Sequence, residues 1–258
     1  MIIHNNSSNT AAAAYASQAT RSTSASSSTA QATASSAQHA GNAVSLSGTS
    51  ADYSHAIASY SAYFPVREGM AADALALGVS QPGAVSSSKG LSFADVATDA
   101  RKRLDEKYAL MTKSGKPYDG SDTDRNSAMG DLDRRSLYAV ATNKDGHFST
   151  QEQTAAKALM TQQGRLATGY YSGPADQAKN FTDPYAKDPV GRAKAALAFL
   201  DNVSVEEKSA SGWLVQHQTL SQALTQAGSA AGGSTATTGK GHFHNLAEIL
   251  AGTDTSGS

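Results

Sequence analysis

The first 50 residues of this 258-residue chain carry almost nothing from which a core can be built. Ser, Ala and Thr fill 32 of those positions, and Arg21 is the only formally charged side chain among them. Side chains this small bury too little apolar surface to offset the entropy of ordering the backbone. Residues 1–50 therefore read as a disordered Ser/Ala/Thr-rich arm, and the burden of folding falls on the rest of the chain.

Beyond the arm, apolar residues recur at helical spacing, with no strand-like alternation of any length. The fold class is mainly α: a small helical domain with a long disordered N-terminal arm and a flexible C-terminal tail. Residues 51–90 read as short helices and a linker, 91–227 as the helical domain, and 228–258 as a flexible tail with a short helix at Phe243–Leu250. Ser92 with Asp95 starts a helix whose stripe is Phe93, Val96, Ala97, Ala100, Leu104, Tyr108 and Met111, ending before Gly115 and Pro117. A polar loop over 117–128 leads to a helix from Met129 to Ala141, and a further helix spans Thr150–Leu166. An irregular segment over 167–187 is expected to pack through Tyr170, Tyr171, Phe181 and Tyr185. Asp188-Pro189 reads as an N-cap with proline at the first helical position, opening a helix to Asn202 with Ala193, Ala196, Leu197 and Leu200 inward. Ser204 with Glu207 opens a last helix through Trp213, Leu214, Leu220 and Leu224 to Gly228, with a kink at Gly212.

The charge balance narrows the function classes. Net charge is −1 and basic residues form no face, which argues against nucleic acid as the main partner. The run Arg101-Lys102-Arg103 is followed by Asp105 and Glu106, the pattern of a solvated helix face with i,i+4 pairs. With no cysteine, disulfides, thiolate zinc sites and cysteine nucleophiles are excluded. No apolar run reaches the length of a membrane span. The opening Met1-Ile2-Ile3-His4-Asn5-Asn6 is unlike a cleaved signal peptide, so the chain is expected to be cytoplasmic or secreted by a route without one.

Chemistry concentrates in Ala141–Glu152, which reads Ala-Thr-Asn-Lys-Asp-Gly-His-Phe-Ser-Thr-Gln-Glu. Counted from Ala141, oxygen-bearing Asn143, Asp145, Ser149 and Glu152 fall at positions 3, 5, 9 and 12, with Gly146 at 6 and His147 at 7. With a helix on either side, this stretch resembles a single, degenerate EF-hand loop. The resemblance implies calcium as cofactor, held by the side chains of Asn143, Asp145, Ser149 and Glu152 and the backbone carbonyl of His147, with glycine permitting the turn that aims them. It departs from the family pattern at position 1, where Ala141 stands in place of a carboxylate. Only Asp145 and Glu152 supply negative charge, so calcium affinity should be on the order of 10⁻⁴–10⁻³ M or weaker. The same residues also fit a metal-free reading: Asn-Lys-Asp-Gly as a turn, and Ser149 with Glu152 as a capping box.

Other constellations are thinner. Asp122, Asp124 and Asn126, with Asp133 at position 12, repeat the spacing of a calcium loop but place Ser127 where glycine belongs. None of the seven histidines has the i,i+4 spacing of a helical zinc pair; His242 and His244 are two apart. Adjacent carboxylates such as Glu206-Glu207 diverge on a helix and do not resemble a catalytic pair. Val44-Ser45-Leu46-Ser47-Gly48 is similar to short segments of bacterial flagellar and type III export substrates, which implies an export role for the arm. Three whole-chain readings result. The chain is a non-catalytic helical binding protein with a weak or vestigial calcium loop, exported from a bacterium and acting on a protein partner. Alternatively it is a structural or interaction module without metal. A third reading is a secreted hydrolase or effector in which Asp183, Asp188 and His217 converge.

Overall fold

A computed structural model describes residues 50–83 and 88–232, with side chains over 53–83 and 88–227. The arm up to residue 49, the export-like segment at 44–48, the helix expected at Phe243–Leu250 and the pair His242 and His244 all lie outside the described residues. Within them every regular element is helical: α1 Ser50–Tyr60, α2 Asp73–Ser80, α3 Phe93–Lys113, α4 Asp122–Met129, α5 Arg134–Thr142, α6 Thr150–Ala167, α7 Pro189–Asn202, α8 Val205–Lys208 and α9 Ser211–Gly232. Short 3₁₀ turns occupy Ser61–Tyr63 and Ala175–Asn180. None of the described helices is long and apolar enough to cross a membrane.

Local chemistry sets most helix starts. The hydroxyls of Ser92, Ser121, Ser149 and Ser204, and the carboxylates of Asp133 and Asp188, each accept from a backbone amide of the helix they cap. Pro189 takes the first position of α7, where its missing N–H costs nothing. α2 has no side-chain cap; the amide of Ala74 instead donates to the carbonyl of Gly130 at 3.1 Å. That approach requires glycine, since a β-carbon at position 130 would lie 1.9 Å from the carbonyl oxygen of Ala71.

α3, α5 and α6 supply most of the core, with Val96, Ala100, Leu104, Met111, Leu137, Val140, Ala156 and Leu159 fully or almost fully buried. Phe64, Leu75, Ala76 and Val79 belong to the same cluster. The segment 51–90 is thus not separate in packing from the helical domain at 91–227: its buried apolar residues Phe64, Ala72, Leu75, Ala76 and Val79 belong to the same core. A smaller cluster joins α7 to α9 through Ala193, Ala196, Leu200 and Leu220, flanked by Leu197, Trp213 and Leu224. Phe199 is also buried, under the guanidinium of Arg134 at 4.8 Å from the ring centre. The 167–187 segment is irregular apart from its 3₁₀ turn, and Tyr171 and Phe181 pack edge-on with Tyr63.

Two stretches differ from the expectation. Residues 122–129 are helical rather than loop, and the following helix starts at Arg134 rather than Met129. α4 lacks an apolar stripe because hydrogen bonds anchor its inner face: Asn126 Nδ2 donates to the carbonyl of Pro65 at 2.9 Å, and Ser127 Oγ accepts from the amide of Arg67 at 2.8 Å. Asp124 is buried against the Arg67 guanidinium. The last helix is broken at Ser209–Ala210, ahead of Gly212, and continues past Gly228. The short α8 is fixed by charge. Glu206 forms a two-bonded fork with Arg135 (2.6 and 3.1 Å), and Glu207 does so with Arg134 (2.7 and 3.0 Å). Consecutive carboxylates on one first turn thereby meet consecutive arginines on another.

Candidate functional site

α5 ends where Asn143 adopts a left-handed conformation (φ 45°, ψ 42°), its amide donating to Ala139 at 3.0 Å. Asparagine tolerates this region because its short polar side chain can bond locally. Here it bonds to Phe148 on both sides: Nδ2 donates to the Phe148 carbonyl at 2.9 Å, and Oδ1 accepts from the Phe148 amide at 2.9 Å. The loop between them turns at Gly146 (φ 73°), whose amide donates to the Asn143 carbonyl at 3.1 Å. Phe148 is buried in the core, and Gln153 Nε2 adds a second donor to its carbonyl at 3.1 Å.

α6 opens on a complete capping box. Ser149 Oγ accepts from the Glu152 amide at 3.3 Å, while Glu152 Oε2 accepts from the Ser149 amide at 2.8 Å and from its hydroxyl at 2.9 Å. The other oxygen, Oε1, accepts from Arg101 Nη1 at 2.8 Å and from the Tyr108 hydroxyl at 3.1 Å. Arg101 Nη1 also reaches the carbonyl of His147 at 3.4 Å, and its Nη2 donates to Asp105 at 2.8 Å. The guanidinium carbon lies 5.6 Å from the Phe148 ring centre and 6.0 Å from that of Tyr108.

The five expected ligand residues thus divide. Asn143, Ser149 and Glu152 direct their side-chain oxygens to protein donors within and beside the loop. Asp145 and His147 are exposed at its tip, next to exposed Lys144, and the His147 carbonyl turns to Arg101. Ala141, at the first position, is buried on α5. Burial pushes the Glu152 carboxyl up, but the Ser149 amide, Arg101 and the Ser149 hydroxyl outweigh it, and the net is below the usual carboxylate range. Burial, reinforced by the Glu152 charge, pushes the Tyr108 hydroxyl strongly up, so it stays a donor. For Arg101, burial opposes the charge, yet Glu152 and Asp105 together hold it more firmly protonated than usual.

Arg101 and Tyr108 are the partners of Glu152 that sequence reasoning leaves out. Arg101 does pair with Asp105 as an i,i+4 partner, but it is not on a purely wet face: its side chain is 23% exposed and spans to Glu152. No spacing rule links residues so far apart in the chain. The second candidate loop is also redirected. Asp122 pairs with Arg125 and Asp124 with Arg67, while Asp133 caps α5 and accepts from the Ser88 hydroxyl.

The residues named for a catalytic alternative are held by separate partners. Asp183 pairs with Arg192 at 2.6 Å, Asp188 caps α7, and His217 meets Asp201 at 2.9 Å while stacking on Trp213. A cleft of about 240 Å³ lies between Tyr63, Pro65, Asp122, Arg125, Asn126 and Gln162, and none of the loop residues lines it. No protein-family model, curated protein or solved structure matches the chain.

Proposed function

We propose that this chain is a non-catalytic helical interaction module whose α5–α6 hairpin keeps its shape through protein groups in place of calcium. The observation that carries this reading is Glu152: each carboxylate oxygen already accepts two hydrogen bonds from the protein. The position that would have to clasp a calcium ion with both oxygens is committed to capping α6 and to α3. Its partner is another protein, met through the rigid surface that these helices present, and the N-terminal arm serves as an export leader. Fusing residues 1–50 to a reporter tests the second point; a reporter retained in a bacterium with a working type III apparatus counts against it.

A second reading keeps calcium as a low-affinity cofactor. It is favoured by Gly146, whose left-handed turn sits at the position where calcium loops need it, with the Asp145 carboxylate exposed beside it. Titration with calcium chloride separates the two. The metal-free reading expects no change in melting temperature and no shift in the amide signals of Asp145, Gly146 and Glu152 up to millimolar calcium. Saturable shifts that disappear in Glu152→Gln establish the calcium reading instead.

A further inference from the structure

We propose that Arg101 is the built-in cation of this helix–loop–helix. The inference rests on the metal-free reading above and names what does the work of the ion. In a calcium loop, the carbonyl at position 7 and the carboxylate at position 12 are drawn together by the metal. Here the corresponding oxygens, the His147 carbonyl and Glu152 Oε1, are both met by the same nitrogen, Arg101 Nη1, at 3.4 and 2.8 Å.

Two further features make the guanidinium a resident of this place. Its stem comes from α3, whose Val96, Ala97, Ala100 and Leu104 are buried in the core, so it is delivered from a rigid element. Its plane lies near the rings of Phe148 and Tyr108, which favour a cation electrostatically. The Tyr108 hydroxyl completes the shell around Oε1. A guanidinium can neither be chelated nor diluted away and stays charged across the physiological range. The loop is therefore closed at all calcium concentrations. The α5–α6 pair presents one constitutive surface, where an ion-dependent pair would switch between two.

The test is hydrogen exchange of the loop amides in the full chain without divalent ions, comparing wild type with Arg101→Met, Arg101→Lys and Glu152→Gln. Methionine keeps the apolar stem against Phe148 and removes the charge. Arg101→Met is expected to speed exchange at Gly146 and Phe148 by about tenfold or more, the effect of losing a charge-assisted hydrogen bond. The amides of the α5 and α7 interiors should stay at wild-type rates, which separates loop opening from global destabilisation. Arg101→Lys should recover part of the protection, and adding Glu152→Gln to Arg101→Met should cost little more. Unchanged loop protection in Arg101→Met, or fully additive effects in the double variant, overturns the proposal. If Arg101→Met unfolds, Glu152→Gln decides it, since it removes the charged acceptor of Arg101 Nη1: loop exchange equal to wild type is the contrary outcome. Loop amides of the wild type that move with calcium would instead overturn the metal-free reading, so the two failures are distinct.

Discussion

The Arg101 guanidinium and the Glu152 carboxylate meet at 2.8 Å although 51 positions separate them in the chain. The contact joins the middle of α3 to the first turn of α6, and so holds the loop between α5 and α6 from outside the hairpin. Glu152 also belongs to the capping box, so one side chain couples a local device to a tertiary one.

Replacing Asn143 separates backbone conformation from side-chain bonding at the start of the loop. Asn143→Gly keeps access to the left-handed region and loses only the two bonds to Phe148; Asn143→Ala loses both. Urea unfolding should show Asn143→Gly less destabilising than Asn143→Ala by about 0.5–1 kcal/mol, the cost of a β-carbon in that region. Equal losses would mean that the φ of 45° is not retained in solution.

The forks between α5 and α8 give the largest expected effect. Arg134 is buried against Glu207, the Met160 carbonyl and Gln163, so removing its carboxylate leaves a charge without its counterion. Glu207→Ala should destabilise by about 3–5 kcal/mol in denaturant unfolding, and an exposed pair such as Lys102–Glu106 by less than about 1 kcal/mol when broken. Similar losses for the two would show that the Arg134 site is wet.

Helix starts are legible in the sequence because their signals are local. Ser92 with Asp95, Ser149 with Glu152, and Asp188 before Pro189 each open the helix that short-range spacing implies. α4 is hidden for the opposite reason: only Ala128 and Met129 at its end enter the apolar core, while its buried Asp124, Asn126 and Ser127 are satisfied by Asp119, Pro65 and Arg67, and no periodicity records such partners. The division of the final helix at Ser209–Ala210 depends likewise on Arg134 and Arg135 holding α8 to α5. At the candidate site, turn and cap can be read from 143–152, but the hand on Glu152 comes from α3, where Arg101 satisfies an i,i+4 rule with Asp105 and conceals its longer reach.

Acid should expose the same carboxylates. The Arg135 fork draws the Glu206 carboxyl below its usual range, and at Glu152 the hydrogen bonds overcome the upward push of burial. Both folded values are depressed, so the unfolded chain binds more protons in this interval and stability falls with falling pH. The contribution is complete above the ordinary glutamate value of about 4.3 and is lost as pH drops through the lower folded values. Melting temperature should therefore hold from neutral to about pH 5 and fall below it. Glu206→Gln should melt lower at neutral pH and show a shallower acid slope; an unchanged slope would deny Glu206 its part.

A β-carbon at position 130 tests the contact of α2 with the end of α4. Gly130→Ala places a methyl against the carbonyl of Ala71, which is backbone and cannot rotate away. It should cost about 1–3 kcal/mol, as overpacking does, read as a lower urea midpoint at unchanged slope.

Hydrogen exchange at the Phe148 amide, measured in a chelator and again in millimolar calcium chloride, bears most directly on whether this helix–loop–helix is closed by the protein itself. The expected result is strong protection in chelator, unchanged by calcium, because Asn143 Oδ1 already accepts that amide at 2.9 Å and Arg101 already holds Glu152. An amide that exchanges freely in chelator and becomes protected only when calcium is added would contradict it.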